Sequence, residues 1–126
     1  MFSRSNMLTD VTAQIELLRK AYAAFNSRDI DEALATMTAN VSWPKAFEGG
    51  FVVGAEAIRE YWTRQWSGIN PNVEPTTFTP DDSGRMVVKV HQVVRDLQGK
   101  VIDNRHVGHR YTFQDGLIDR MEICDV

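Results

Sequence analysis

From Val73 to the end, the chain alternates apolar and polar residues in a way that only strands satisfy. Met86, Val88, Val90, Gln92 and Val94 fall on one face of a two-residue period, and Arg85, Lys89, His91 and Arg95 on the other. Gln98-Gly99 and Gln114-Asp115-Gly116 punctuate the run as turns. Val107, His109, Tyr111 and Phe113 share a face of the strand between them, opposite His106, Arg110 and Thr112. In the last segment, Leu117 to Cys124, Ile118, Met121 and Ile123 break strict alternation, which predicts a bulge near Asp119 or Arg120. The second half thus reads as four successive antiparallel strands, the first of them (Val73–Thr79) an edge or a bulged strand because of Pro75.

Such a sheet needs a cover, and the first half is helical. Val11, Ile15, Leu18, Tyr22 and Phe25 form one stripe after a candidate N-cap at Thr9 or Asp10. Asp29 can cap a second, shorter helix reaching about Met37, with Ile30, Ala33, Leu34 and Met37 inward. Val41 to Pro44 predicts a short or edge strand, Phe51 to Val53 another, and Ala55 to Trp66 a third helix that turns Ile58, Tyr61, Trp62 and Trp66 to one side. The order implies an α+β domain spanning 1–126: three N-terminal helices packed on a strongly curved antiparallel sheet, a cone-shaped α+β barrel with an apolar interior suited to a small molecule.

Composition narrows the function. At 126 residues the chain can bury roughly 65% of its unfolded surface. Net charge is −3 with the basic residues scattered, which argues against nucleic acid or an anionic membrane as partner. One cysteine, Cys124, allows neither an internal disulfide nor a Cys-based metal site. No run is long and apolar enough to span a membrane, and the start lacks a secretory h-region, so a cytoplasmic location is expected.

The run Ala21 to Asp31, the helix start Gly54 to Trp62, and the segment Tyr111 to Ile118 resemble the SnoaL-like, nuclear transport factor two-like superfamily, which includes polyketide cyclases and ketosteroid isomerases. The resemblance covers nearly the whole chain and specifies a fold better than an activity. By similarity to ketosteroid isomerase, its oxyanion-hole Tyr falls on Tyr22, and its second oxyanion-hole donor, a protonated Asp, on His109. Its general base, an Asp before a Pro, falls on Trp43, which cannot abstract a proton. Similarity to SnoaL-like cyclases, which carry an acid/base Asp late in the sheet, points to Asp125, with Asp119 as the other acidic residue of the last strand.

The candidate catalytic residues are therefore His109, Tyr22 and Asp125, and the candidate ligand-binding residues Trp43, Trp62, Gln92, Tyr111 and Met121. Each has a plain structural reading beside the functional one. Tyr22 can be a core tyrosine with a paired hydroxyl, His109 a buried imidazole bonded to a neighbour, Asp125 a solvated terminal carboxylate, and the tryptophans core packing. Gln92 should bond a neighbour such as His109 or face a cavity. Glu48, in the loop after Trp43, could reach the pocket mouth. His91 and His106 should point away from His109, so no metal is expected, and no cofactor.

Val87, His91, Val93, Arg95, His106, Arg110 and Thr112 give the outer sheet face a mixed character that suits a homodimer interface. Two functions follow. One is a cofactor-free isomerase, cyclase or lyase acting on a small hydrophobic carbonyl compound. The other is a non-catalytic ligand-binding or dimerisation module, favoured by the missing base at Trp43.

Overall fold

The computed structural model describes residues 4–126, with side chains described from Asp10 onward. In chain order the elements are α1 (Arg4–Asn26), α2 (Ile30–Leu34), β1 (Met37–Pro44), β2 (Phe51–Val53), α3 (Ala55–Trp66), β3 (Asn70–Pro80), β4 (Met86–Arg95), β5 (Val101–Gln114) and β6 (Leu117–Cys124). The strands form one open six-stranded sheet in the order β2-β1-β6-β5-β4-β3. Three helices thus pack on a mostly antiparallel sheet, an α+β arrangement. Among the described residues no helix is long and apolar enough to cross a membrane.

The two-residue period of β4 is realised directly. Met86, Val88, Val90, Gln92 and Val94 are buried, and the residues between them are not. β3 is both an edge strand and irregular, its register to β4 slipping between Pro75 and Thr77. β6 carries the expected bulge: Thr112 pairs with Arg120 but Phe113 with Ile118, so Asp119 is the extra residue. That shift is what turns both Ile118 and Met121 to the core. The β5–β6 hairpin turns on Asp115 and Gly116, at φ 53° and 78°, both positive as a two-residue type I′ turn demands.

Three expectations need correction. The first helix does not begin at Thr9 or Asp10 but runs from Arg4, since no proline or glycine interrupts the residues between. Asp29 does cap α2, its carboxylate accepting from Glu32 N–H at 3.2 Å, but the helix ends at Leu34 and Met37 opens a strand instead. The segment around Trp43 is not an edge. β1 lies between β2 and β6 and pairs with β6 in parallel, Met37 with Ile118 and Ser42 with Arg120. Pro44 is tolerated because it is the last residue of the strand, where its missing N–H costs no interior ladder bond.

Side chains lock the helices to the sheet. At the end of α1, the Asn26 carboxamide mimics a neighbouring strand, donating to Val73 O at 2.8 Å and accepting from Val73 N–H at 2.9 Å. Thr36 O accepts from Ile118 N–H at 2.9 Å, and Thr38 donates to the Asp119 carboxylate at 2.7 Å. The core between the layers centres on Leu18, Val41, Ile58, Trp62, Met86 and Ile118, all essentially inaccessible.

Candidate functional site

His109 stands where the alternation of β5 requires, on the inner face opposite Val88 and Ile123. It is 7% exposed. Tyr22 reaches it from α1 and Tyr111 from two residues along the same strand. Tyr111 O–H donates to the Tyr22 oxygen at 2.8 Å. The Tyr22 oxygen lies 2.7 Å from His109 Nδ1, the imidazole tautomer setting which of the two donates. Their rings lie parallel, within 4° at a centroid distance of 5.9 Å, while Tyr111 meets both edge-on.

The tautomer of the imidazole is coupled to the direction of this chain, which in the sense Tyr111 to Tyr22 to His109 makes Nδ1 the acceptor. With Nδ1 accepting, the ring proton sits on Nε2. Nε2 makes no hydrogen bond among the described residues, and His109 lines a cavity. Burial lowers the His109 pKa from its ordinary 6.5 to about 4, so the ring is neutral at pH 7. Burial likewise pushes Tyr22 and Tyr111 well above the usual phenol range, which keeps both as neutral donors. The result is a neutral imidazole, hydrogen-bonded at Nδ1, in the wall of a cavity.

That space has two compartments. The larger, about 200 Å³, has Trp43, Phe47, Trp62, Val107, Met121 and Ile123 among its apolar walls, with Gln92, Gln65 and Arg105 as polar contributors. A smaller one of about 30 Å³ lies among Ala21, Met37, Tyr22 and Tyr111. Phe25, Trp43, Trp62 and His109 border both. The aromatic walls brace one another. Trp62 meets Trp43 at 5.6 Å and Phe25 at 5.4 Å, both near perpendicular, and stacks on Trp66 at 5.7 Å. Trp62 and Met86 are buried, yet they do not close the interior.

His109, Tyr22, Tyr111, Trp43, Trp62, Gln92 and Met121 are thus brought together around this space. Gln92 does not bond His109; its Nε2 donates to Asp103 at 3.0 Å. Asp125 lines neither compartment. It follows the end of β6, is exposed, and borders a surface groove that shares Arg105, Val107 and Ile123 with the larger compartment. Its placement beyond the last paired residue, Cys124, leaves no strand to turn it inward. Asp119 is committed to Thr38. Glu48 is held outside by Arg64 at 3.0 Å, whose hydrogen bonds keep its carboxyl below the usual range. No carboxylate lines either compartment among the described residues.

Phe25, Phe47, Gln65 and Arg105 also line the larger compartment. The period of β5 carried a signal for Arg105, since 105, 107 and 109 share a face. Phe47 and Gln65 carried none, because a loop residue and the fourth turn of α3 reach the cavity only through tertiary packing. His91 and His106 stack on each other at 5.0 Å on the far side of the sheet. Among the described residues no group of three or more His, Cys, Asp or Glu side chains is placed to hold a metal ion.

A SnoaL-like domain model matches residues 18–121, most of the chain and every element that builds the cavity. The protein belongs to the SnoaL-like domain family. No curated protein matches its sequence. Among solved structures, TerC co-crystallised with polyporic acid is 27% identical over 90% of this chain and 92% of its own, at a TM-score of 0.78. Rv0760c from Mycobacterium tuberculosis, in complex with estradiol-17β-hemisuccinate, is 16% identical over 88% and 92%, at 0.75. SalBIII, an epoxide hydrolase/cyclase-like enzyme of pyran ring formation, is 18% identical over 87% and 88%, at 0.71. The last two likenesses are likenesses of fold.

Proposed function

We propose that this SnoaL-like protein binds a small, flat, hydrophobic carbonyl compound in its aromatic cavity and polarises the carbonyl oxygen with the Nε2–H of His109. The observation that carries the reading is the hydrogen-bonded chain of Tyr111, Tyr22 and His109 Nδ1 beside a largely apolar cavity; running from Tyr111 toward Nδ1, it leaves Nε2–H as the donor to a ligand. A preorganised N–H in a site of low polarity stabilises developing negative charge on oxygen without reorganising. Two structural neighbours carry organic small molecules, polyporic acid and estradiol-17β-hemisuccinate, which supports a ligand of organic character. The volume of about 200 Å³ is below the roughly 300–1,000 Å³ of drug-sized sites, so the ligand is small.

The arrangement supports only part of an isomerase or cyclase. The lone pair of His109 is on Nδ1 and is occupied by Tyr22, so the ring donates but does not abstract at Nε2. The reactions open to this site are those in which the substrate supplies an acidic C–H and solvent removes it, while His109 holds the enolate oxygen. Trp43, on which similarity to ketosteroid isomerase puts the general base, is a wall of the cavity and cannot abstract a proton. That favours the second reading, a binding module without turnover. We assign the mixed outer face of β4 and β5 to pairing with a second copy of the chain; light scattering at micromolar concentration that returns a monomeric mass would remove that assignment.

One experiment separates the two readings. With 2-acetonaphthone in D2O, saturable binding that shifts the His109 ring resonances is expected in either case. Exchange of the methyl protons faster than in buffer, lost in His109→Gln, marks the electrophilic enzyme. Binding without faster exchange marks the module. No response of His109 to the ketone refutes both.

A further inference from the structure

We propose that Arg105 is the anchor for an anionic group on the ligand, so that the compound held in the cavity is an aromatic acid rather than a neutral ketone alone. This deepens the reading above and rests on it. Arg105 is the one ionised side chain that lines the larger compartment among the described residues, in a chain whose net charge is −3. The other polar contributors are neutral: the amides Gln65 and Gln92, the phenol Tyr61 and the imidazole of His109. A lining with one cation and no carboxylate of its own suits a monoanion; the Asp103 carboxylate that pairs with Arg105 stands outside that lining.

The guanidinium is held from outside the cavity. Its Nε lies 3.1 Å from the Asp103 carboxylate, and the same carboxylate oxygen accepts from Gln92 Nε2 at 3.0 Å. Gln92 is buried and itself lines the cavity, so the relay Gln92–Asp103–Arg105 is tied to the floor of the site. The ion pair is exposed on the arginine side, 62%, and contributes little stability. Its consequence is positional. With Asp103 on the Nε edge, the two terminal nitrogens, which make no hydrogen bonds among the described residues, remain as a fork. Such a fork matches a carboxylate in a bidentate pair.

Geometry sets the shape of the acid. Arg105 and His109 are four residues apart on one strand, so their backbones are ~13 Å apart. Val107 lies between them on the same face, and Trp43, Trp62 and Met121 are among the other walls of the compartment. The ligand that meets both donors is a rigid aromatic with a carboxylate, or an equally acidic enol, at one end and a carbonyl or hydroxyl toward the other. The apolar middle lies against the tryptophans.

The test uses two probes of the same shape, 2-naphthoic acid and 2-naphthamide, at pH 7 and low salt. Affinities are read by tryptophan fluorescence and location by the His109 ring resonances. Wild-type protein is expected to bind the naphthoate about tenfold more tightly than the amide, the size of one charge-assisted pair. Arg105→Gln should erase that preference and change amide binding less than about twofold, with an unaltered urea midpoint as the folding control. Equal binding of acid and amide by wild type overturns the anchor and leaves the cavity reading intact. Retention of the acid preference by R105Q does the same. Failure of both probes to perturb His109 overturns the cavity reading, and the anchor with it.

Discussion

His109 should make the protein lose stability on mild acidification, by an amount its burial sets. The folded-state pKa is about 4, against 6.5 for an exposed imidazole. Between those values the unfolded chain binds a proton that the native state does not, so unfolding is favoured as pH falls and stability rises with pH across the window. The contribution is fully present above pH 7 and is lost progressively below 6.5. Between pH 7.5 and 5.0 it amounts to about 2 kcal/mol, at about 1.4 kcal/mol per pH unit over the effective part of that range. Carboxylates also titrate on the acid side, so the measurement is a difference. His109→Gln keeps an acceptor for the Tyr22 hydroxyl but does not titrate. Urea unfolding followed by the tryptophans Trp43, Trp62 and Trp66 gives the stability of both proteins at the two pH values. The wild type should lose about 2 kcal/mol more than the variant. Equal losses would mean that His109 titrates like a solvated imidazole. The neutral Nε2–H donor, and the function built on it, would then be wrong.

Three further perturbations bear on the same architecture. Tyr22→Phe strands the Tyr111 hydroxyl and the His109 Nδ1 together; at about 1–3 kcal/mol for each buried unsatisfied group the loss should be about 2–6 kcal/mol, and nitrogen NMR should show a mixture of His109 tautomers where wild type shows Nε2–H alone. A loss under 1 kcal/mol with an unchanged spectrum would exclude the network. Gly108→Ala places a Cβ 2.6 Å from Cys124 O and from Val126 Cγ1, and because the first is backbone on the paired strand, β6 must shift; about 1–3 kcal/mol in the urea midpoint is expected, and no change would contradict the packing of the C-terminal residues on β5. Asp125→Asn should leave 2-acetonaphthone affinity and His109 chemical shifts as in wild type, since Asp125 is exposed beyond β6; a severalfold change in either would bring the carboxylate back into the site.

Most of the fold was legible because its signals are local. The period of β4, the positive-φ turn at Asp115-Gly116 and the Asp29 cap each act within a few residues, and each is realised. Even the bulge in β6 could be read, because Ile118 and Met121 cannot both face inward without one. The illegible parts are non-local. Nothing in Thr38 to Trp43 says that β1 pairs in parallel with a strand some eighty residues later, and Pro44 pointed the other way until its terminal position was known. The range of the first helix was misjudged because a plausible cap at Thr9 or Asp10 is not a stop signal for the turns before it.

The site divides along the same line. The inward residues of β5, His109 and Tyr111, followed from alternation, and Tyr22 from the helical stripe, but that all three meet in one hydrogen-bonded chain depends on how α1 lies across the sheet. Similarity to cyclases points to Asp125, and the structure places it outside both compartments because β6 stops pairing one residue short of it. Its absence changes the chemistry more than the presence of His109 does. A buried imidazole with a carboxylate beside it would be held charged, or made a base; here its neighbours are two neutral phenols, and with the chain running from Tyr111 through Tyr22 to Nδ1 the ring proton is on Nε2. The same burial that lowers the affinity of His109 for a second proton therefore makes it a poor base and a steady donor. A pocket built this way can recognise an oxygen and stabilise charge on it, and any proton it moves must come from a substrate acidic enough to release it to water.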